Sequence, residues 1–222
     1  MSGLEEFTAH HAAVFDSDSL AKPKNLEYEV KFEVPFTISP VDYLKQLYHN
    51  WDFFDEVCES PSQQNVLCFK GINGHAFLTQ KFGPPYDGAN LTLKVKSEPI
   101  MLPNNILKRT ETEKIVSLAE AFRYAEKMHL KYKGNFKKYK QDLLLIDDNT
   151  DDTYMITVAL CSTDRQRLNQ LEIEYFGRIA EKPAIEEEII QGLSGIAGKV
   201  MSCSKFLKLT PTTMEKHEIF RR

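Results

Sequence analysis

Residues 27–34 alternate between charged and apolar side chains without a break. Acidic or basic residues occupy positions 27, 29, 31 and 33, and aromatic or aliphatic residues occupy positions 28, 30, 32 and 34. This period of two predicts a β-strand with one apolar face and one charged face. Charges two residues apart on a strand are roughly 6–7 Å from each other, so two carboxylates can share a divalent cation. The neighbouring lysine can then bind an anion that the cation holds. The ordinary alternative is a charged face that meets water.

Most of the remaining chain shows short apolar runs separated by turn residues. Turns rich in glycine and proline are expected at 71–74 and 83–88, and a polar turn at 147–152. Further strands are expected at 64–70, 75–82, 90–97, 106–115, 136–147, 153–162 and 169–178. Strands therefore dominate the expected structure.

Three helices are expected between or after these strands. Ser39-Pro40 has the chemistry of a helix start, and the capping box Ser117–Glu120 predicts a helix to about residue 130. The last helix is expected at about 184–201, with acidic residues in its first turn. Its glycines at 192, 195 and 198 lie inside the helix, which favours close packing over a phosphate-binding loop.

The composition is that of a folded protein without a strong charge bias. Of the 222 residues, 42% are hydrophobic and 27% are charged, and the net charge is -4. We expect one domain over 1–222, with an N-terminal arm at 1–24 and a C-terminal helix and tail at 184–222. No stretch has the character of a membrane span or a secretion signal, and the cysteines and histidines show no metal-ligand spacing. We therefore expect a cytoplasmic protein that binds neither a membrane nor duplex DNA.

Five further stretches carry formal charges on one strand face. Their charged residues are Lys81, then Lys94 and Lys96, then Arg109, Glu111 and Glu113, then Lys138 and Lys140, and finally Glu172 and Glu174. The opposite strand faces are apolar. If the strands form one curved sheet, the charges converge on its concave side, where water, metal and a polyanion must satisfy them.

The order of these charges resembles the CYTH superfamily, the triphosphate tunnel metalloenzymes, over residues 27–175. The matching motifs are Glu27-x-Glu29-x-Lys31, Leu-Thr-Leu-Lys94, Arg109-x-Glu111, Lys138-x-Lys140 and Leu-Glu172-Ile-Glu174. The resemblance implies an α+β fold, an eight-stranded antiparallel β-barrel open as a tunnel with helices packed outside. Activities in the superfamily include hydrolysis of tripolyphosphate, nucleoside triphosphates, thiamine triphosphate or RNA 5′-triphosphate ends, and class IV adenylyl cyclase.

The resemblance also implies a role for each charged residue. Mg²⁺ or Mn²⁺ would be bound by Glu27, Glu29, Glu111, Glu172 and Glu174, since hard cations prefer oxygen ligands. Glu111 has the alternative role of orienting Arg109. The substrate's phosphate oxygens would be bound by Lys81, Lys94, Lys96, Arg109, Lys138 and Lys140. Glu27, Glu29 and Lys31 would be catalytic, with metal-activated water attacking a terminal phosphorus in line.

Two places depart from the pattern of the superfamily. The strand before Lys94 usually carries an arginine pair, and here 78–81 carries the single cation Lys81. Cys161 holds the place of a usual aspartate, near the end of the strand before Glu172. Fewer charged ligands are expected to weaken triphosphate binding, to suit a bulkier ligand or to end catalysis.

Four hypotheses follow from the sequence. The first is metal-dependent hydrolysis of inorganic tripolyphosphate, a nucleoside triphosphate or an RNA 5′-triphosphate end. The second is cyclisation of ATP, and the third is non-catalytic binding of a nucleotide or phosphorylated partner. The fourth is a sheet protein whose charged faces only meet water.

Overall fold

The computed structural model describes residues 20–35, 39, 43, 56–58, 62–83, 86–147, 149–204 and 209–221. Within these ranges the chain forms eleven strands and two complete α-helices. The helix predicted from Ser39-Pro40 and most of the predicted N-terminal arm lie outside the described residues. No helix of the described ranges is long and apolar enough to cross a membrane.

The elements agree closely with the sequence pattern. The strands are β1 (Leu26–Glu33), β2 (Glu56–Cys58), β3 (Ser62–Lys70), β4 (Gly74–Gly83), β5 (Tyr86–Ser97), β6 (Ile100–Met101), β7 (Leu107–Val116), β8 (Lys131–Asp147), β9 (Asp152–Ser162), β10 (Arg167–Arg178) and β11 (Thr210–Pro211). The helices are α1 (Leu118–Lys127) and α2 (Glu186–Cys203). The predicted strands are confirmed, although β8 begins at residue 131 rather than 136.

Eight antiparallel strands close into a barrel. Their order is β1, β10, β9, β8, β3, β4, β5, β7 and back to β1. The pair that closes the barrel is β1 with β7. In that closing pair Glu27 lies opposite Arg109. The predicted barrel with helices outside is confirmed. The short strands β2, β6 and β11 extend the sheet beside β8, β7 and β1.

The apolar strand faces point outward and are covered by the helices. Helix α2 packs Ile189 and Leu193 into a cluster that includes Val30 and Phe32 of β1. A Cβ atom at Gly192 would lie 1.9 Å from the Tyr154 hydroxyl, so close packing is confirmed at this glycine. It is wrong for Gly195 and Gly198, where no described atom lies within 4 Å of such a Cβ. Each such buried apolar side chain contributes about 1.5–3 kcal/mol to stability.

Helix α1 covers another part of the barrel. Its capping box is present, because the Ser117 side chain accepts from the Glu120 N–H while the Glu120 carboxylate accepts from Ser117 N–H. Ala121 and Ala125 pack on the outward side chains of β3, β4 and β5. The helices thus cover apolar strand faces on the outside, and the charged strand faces line the barrel interior.

The C-terminal segment, residues 209–221, returns to the barrel and fills one end. The Thr212 N–H donates to the Lys31 carbonyl at 2.9 Å, and the Gln170 side-chain amide donates to the Met214 carbonyl at 2.6 Å. Ile219 is completely buried in an apolar cluster with side chains of β3, β4, β8, β9 and β10. We call this the closed end of the barrel.

Candidate functional site

The charged faces predicted from the sequence point into the barrel. Glu27, Glu29 and Lys31 on β1 are only 4%, 2% and 1% exposed. Lys31 lies opposite Glu172 and Glu29 lies opposite Glu174 on the neighbouring β10. The hypothesis that these faces only meet water is therefore wrong.

A cavity of about 150 Å³ lies between these faces. Eight of the predicted site residues line it: Glu27, Lys81, Lys94, Lys96, Lys138, Lys140, Glu172 and Glu174. Pockets for drug-sized ligands usually measure about 300–1,000 Å³. This cavity therefore suits a small anion or a chain of phosphates rather than a whole nucleotide.

Acidic and basic side chains occupy different halves of the barrel. The lysines of the cavity come mainly from β4, β5 and β8, and the glutamates come from the contiguous strands β7, β1 and β10. An acidic opening bordered by Glu27, Glu111, Glu113 and Glu174 leads to the surface at the end opposite the C-terminal segment. We call this the open end of the barrel.

Glu174 borders the open end and is surrounded by other carboxylates. Burial, together with the negative charges of Glu27 and Glu111, raises the pKa of Glu174 to about 8. Within the described ranges its carboxylate makes no hydrogen bond or ion pair. Carboxylate oxygens are the donors that Mg²⁺ and Mn²⁺ prefer, but among the described residues the predicted ligands Glu27, Glu29, Glu111, Glu172 and Glu174 do not form a close group of three ligand atoms.

Glu111 and Glu113 form ion pairs with the lysines of β5. Lys94 lies 2.8 Å from Glu111 and 2.9 Å from Glu113, and Lys96 lies 2.7 Å from Glu111 and 2.6 Å from Glu27. Burial alone would raise the pKa of Glu111, but Lys96 and Lys94 hold it well below its usual range. Glu111 therefore contacts these lysines rather than orienting Arg109.

Arg109 and Lys31 lie outside the cavity lining, deeper in the barrel. Arg109 donates to Glu27 and Glu29, and its Nη1 donates to Glu215 at 2.7 Å. Lys31 Nζ lies 3.0 Å from Glu29 and 2.8 Å from Glu215. Both predicted cations are therefore satisfied by carboxylates, and a phosphate could reach them only if Glu215 moved.

Lys138 lies in the basic half of the cavity without a carboxylate partner in the described residues. Burial lowers its pKa to about 7, and the positive charges of Lys216 and Lys140 add to this effect. Cys161 lies directly opposite Lys138 in the pairing of β8 with β9. Burial also raises the pKa of the Cys161 thiol to about 11, so it stays neutral. The aspartate expected at this position from the superfamily pattern would keep Lys138 charged, whereas the neutral thiol of Cys161 does not.

Several residues of the site were missed by sequence reasoning. Glu113 lies two residues after Glu111 on the same strand face, and Gln64 lies on a predicted strand, so the alternating pattern could have identified both. Glu215 and Lys216 had none, because they follow the last helix in a charged tail. Lys216 nonetheless lines the cavity and forms an ion pair with Glu172.

Comparisons with known proteins identify the fold. No protein-family model matches the chain, and no curated protein matches it in sequence. A conserved hypothetical protein from Pyrococcus furiosus matches with a TM-score of 0.53 and 17% identity, over 87% of this chain and 99% of that one. A protein of Pyrococcus horikoshii matches with a TM-score of 0.51 and 18% identity, over 87% of this chain and 98% of that one. At these identities the two matches show that the fold is shared, and they show nothing further.

Structures that match with lower TM-scores include some with functional names. The mimivirus capping enzyme triphosphatase matches with a TM-score of 0.48 and 11% identity, over 89% of this chain and 97% of that one. At this distance the likeness supports no functional argument. The assignment of function therefore rests on the residues of the barrel.

Proposed function

We propose that the barrel hydrolyses a triphosphate with the help of Mg²⁺ or Mn²⁺. The observation that carries the proposal is the division of one small cavity into a basic half and an acidic half. A triphosphate carries several negative charges on adjacent oxygens, which the lysines can bind. Most charges of the cavity are paired with one another, but Glu174 and Lys138 make no ion pair among the described residues, and a cation with a bound polyanion would supply their partners.

The residues have separable roles in this proposal. Glu27, Glu172 and Glu174 would hold the cation, which would neutralise phosphate charge and make a water molecule more acidic. The cation would have to compete with the ion pairs that Glu27 forms with Lys96 and Arg109 and that Glu172 forms with Lys216. Lys94 and Lys140, at 38% and 26% exposure, would bind phosphate oxygens that enter from the open end, in competition with Glu111 and Asp142, which they contact at 2.8 Å and 2.7 Å. Lys81, Lys96 and Lys138 line the rest of the cavity. Transfer of a phosphoryl group depends mainly on such positioning and charge stabilisation.

The substrate class follows from the size of the cavity. About 150 Å³ suits the phosphate chain, so a nucleoside or RNA chain would lie outside this cavity, at the open end or in the adjoining cavity of about 750 Å³ that shares Gln64 and Lys138 with it. We therefore propose inorganic tripolyphosphate or a triphosphate end as the substrate. Release of phosphate from tripolyphosphate, ATP and triphosphorylated RNA, each with Mg²⁺ and with Mn²⁺, tests this proposal. Chromatography of the ATP reaction tests cyclisation, whose products are cyclic AMP and pyrophosphate rather than orthophosphate.

The matched variants are Glu174→Gln in the cavity and Glu126→Gln on the exposed surface of α1. We expect Glu174→Gln to reduce phosphate release about 100-fold or more, because a ligand of the cation is lost. Glu126→Gln should match the parent. Equal release by the parent and Glu174→Gln would contradict the proposal.

Non-catalytic binding of a polyphosphate is the second candidate. It is favoured by the position of Arg109 and Lys31, whose charges are already taken by Glu29 and Glu215. Tight binding of tripolyphosphate without release of phosphate under either metal would support binding alone. Lys140→Gln should then weaken tripolyphosphate binding, whereas Lys133→Gln on the exposed part of the same strand should not.

A further inference from the structure

Two histidines and a glutamate meet at the closed end, away from the cavity. His75 is on β4, and Glu215 and His217 are on the C-terminal segment. One potential ligand atom from each residue lies within 4.8 Å of the other two. All three side chains are more than nine-tenths buried.

The histidine nitrogens of this cluster lack partners. Both ring nitrogens of His75 and Nδ1 of His217 are buried without a hydrogen bond. Buried polar atoms in proteins are nearly always hydrogen-bonded, and leaving one unpaired costs about 1–3 kcal/mol. Three unpaired nitrogens in one cluster therefore point to a missing partner.

We propose that His75, Glu215 and His217 bind a divalent transition-metal ion, with Zn²⁺ as the ion that this ligand set favours. Two imidazoles and a carboxylate are a ligand set that zinc uses in proteins, with a fourth position for water. Tetrahedral ligands at about 2.0–2.1 Å from zinc lie roughly 3.4 Å apart. The three atoms would therefore need to converge by at most about 1.4 Å, which side-chain rotation can supply.

The charges around the cluster permit a metal. Burial lowers the pKa of His75 to about 2, so its imidazole is neutral at physiological pH, as a metal ligand must be. Lys31 and Arg109 both contact Oε1 of Glu215, which leaves Oε2, 3.8 Å from His75 Nε2, for the ion. The site is distinct from the proposed Mg²⁺ or Mn²⁺ ligands, and it does not depend on the proposed hydrolysis.

Such an ion would fasten the C-terminal segment to the barrel. Glu215 and His217 would be tied through the metal to β4, in addition to the contacts of Thr212 and Met214. Metal binding would then stabilise the closed end. Zn²⁺ should slow tryptic cleavage after Lys216 in the parent protein.

The test is a calorimetric titration of chelator-treated full-length protein with ZnCl₂, without any phosphate substrate. We expect the parent to bind one equivalent, and we expect His217→Gln and His75→Gln each to weaken binding at least 100-fold. Co²⁺ in place of Zn²⁺ should give the parent a visible absorption band that His217→Gln lacks. His217→Gln changes only the C-terminal segment, so it remains informative if His75→Gln does not fold.

Two control variants separate this site from other histidines. His129→Asn alters an exposed histidine whose backbone φ of 53° an asparagine tolerates, and His10→Asn with His11→Asn removes the adjacent pair near the N-terminus. Both controls should bind Zn²⁺ like the parent. Failure of the parent to bind, or binding that survives in His217→Gln, would overturn the proposal. Loss of phosphate release with intact Zn²⁺ binding would bear only on the proposed hydrolysis.

Discussion

The two ends of the barrel contain the same kinds of charged side chain in opposite situations. At the open end, Lys94 is 38% exposed and the carboxylate of Glu174 has no partner among the described residues. At the closed end, Arg109 is 3% exposed and holds three carboxylates. Buried, paired charges hold the fold together, whereas a charge that is partly exposed, such as Lys94, or unpaired, such as Glu174, is available to a ligand. The comparison separates residues that build the barrel from residues that can act on a substrate.

The largest expected effect is on stability at the closed end. Arg109→Leu leaves the carboxylates of Glu27, Glu29 and Glu215 without their shared partner, and removing one member of a buried ion pair costs about 3–5 kcal/mol. Lys94→Met at the open end should cost less than Arg109→Leu, because Lys94 is partly exposed and Lys96 still pairs with Glu111 in the variant. Urea unfolding of both variants measures the difference. Equal losses would break the distinction between the two ends.

Glu215→Gln should have the next largest effect. Burial alone would raise the pKa of Glu215, but Lys31 and Arg109 hold it well below its usual range. A carboxyl group with a lowered pKa stabilises the fold above its unfolded pKa, and this contribution is lost as the pH falls. We therefore expect Glu215→Gln to cost about 1–3 kcal/mol at pH 7 and progressively less below about pH 4.5. A difference in stability that grows toward low pH would contradict this assignment.

Glu215→Gln also tests whether Glu215 occupies an anion position. The variant leaves Lys31 and Arg109 with less negative charge, so an external anion should replace what was lost. We expect tripolyphosphate to raise the melting temperature of Glu215→Gln more than that of the parent. Equal shifts would show that the anion does not reach the closed end.

A smaller effect is expected from Lys138. Because its pKa is lowered to about 7, Lys138 is mostly charged at pH 6 and loses its charge as the pH rises. Metal-free affinity for tripolyphosphate should therefore fall about tenfold between pH 6 and pH 8.5, as expected for a loss of about 1.4 kcal/mol. Glu174 lines the same cavity and, with a pKa of about 8, gains negative charge over the same pH range, so Lys138→Arg should reduce this step without abolishing it. Lys137→Arg on the exposed face of β8 should retain the full step. Calorimetry at several pH values measures both.

The smallest predicted effect concerns Cys161. Cys161→Asp places a carboxylate opposite Lys138, which favours the charged lysine. We expect the pH step in tripolyphosphate affinity to move upward by about one unit or more. Cys161→Ser, which adds no charge, is the matched control. An unchanged step in Cys161→Asp would show that the missing carboxylate does not determine the behaviour of Lys138.

The two ends also differ in how many of their site residues the sequence predicted. The charges of the open end lie on strands whose alternation is visible in the sequence, such as 91–96 and 171–175. Their opposite faces are apolar, so each charge could be assigned to the same side of a sheet before the fold was known. The closed end depends on residues 209–221, which have no such periodicity. The pairing of Glu215 with Lys31, 184 positions apart, could not be read from local pattern.

The sequence by itself determined the strands, their inward charges and the barrel class, because alternation is a local property that burial of one face imposes. Only the tertiary structure decided which charges are satisfied within the protein and which remain accessible. Closure of β1 on β7 brings Arg109 to Glu27, and the return of the C-terminal segment brings Glu215 to both buried cations. Long-range contacts of this kind depend on three-dimensional packing rather than on residue spacing. The predicted barrel is therefore confirmed, while the roles of its charged residues follow from how each end is closed.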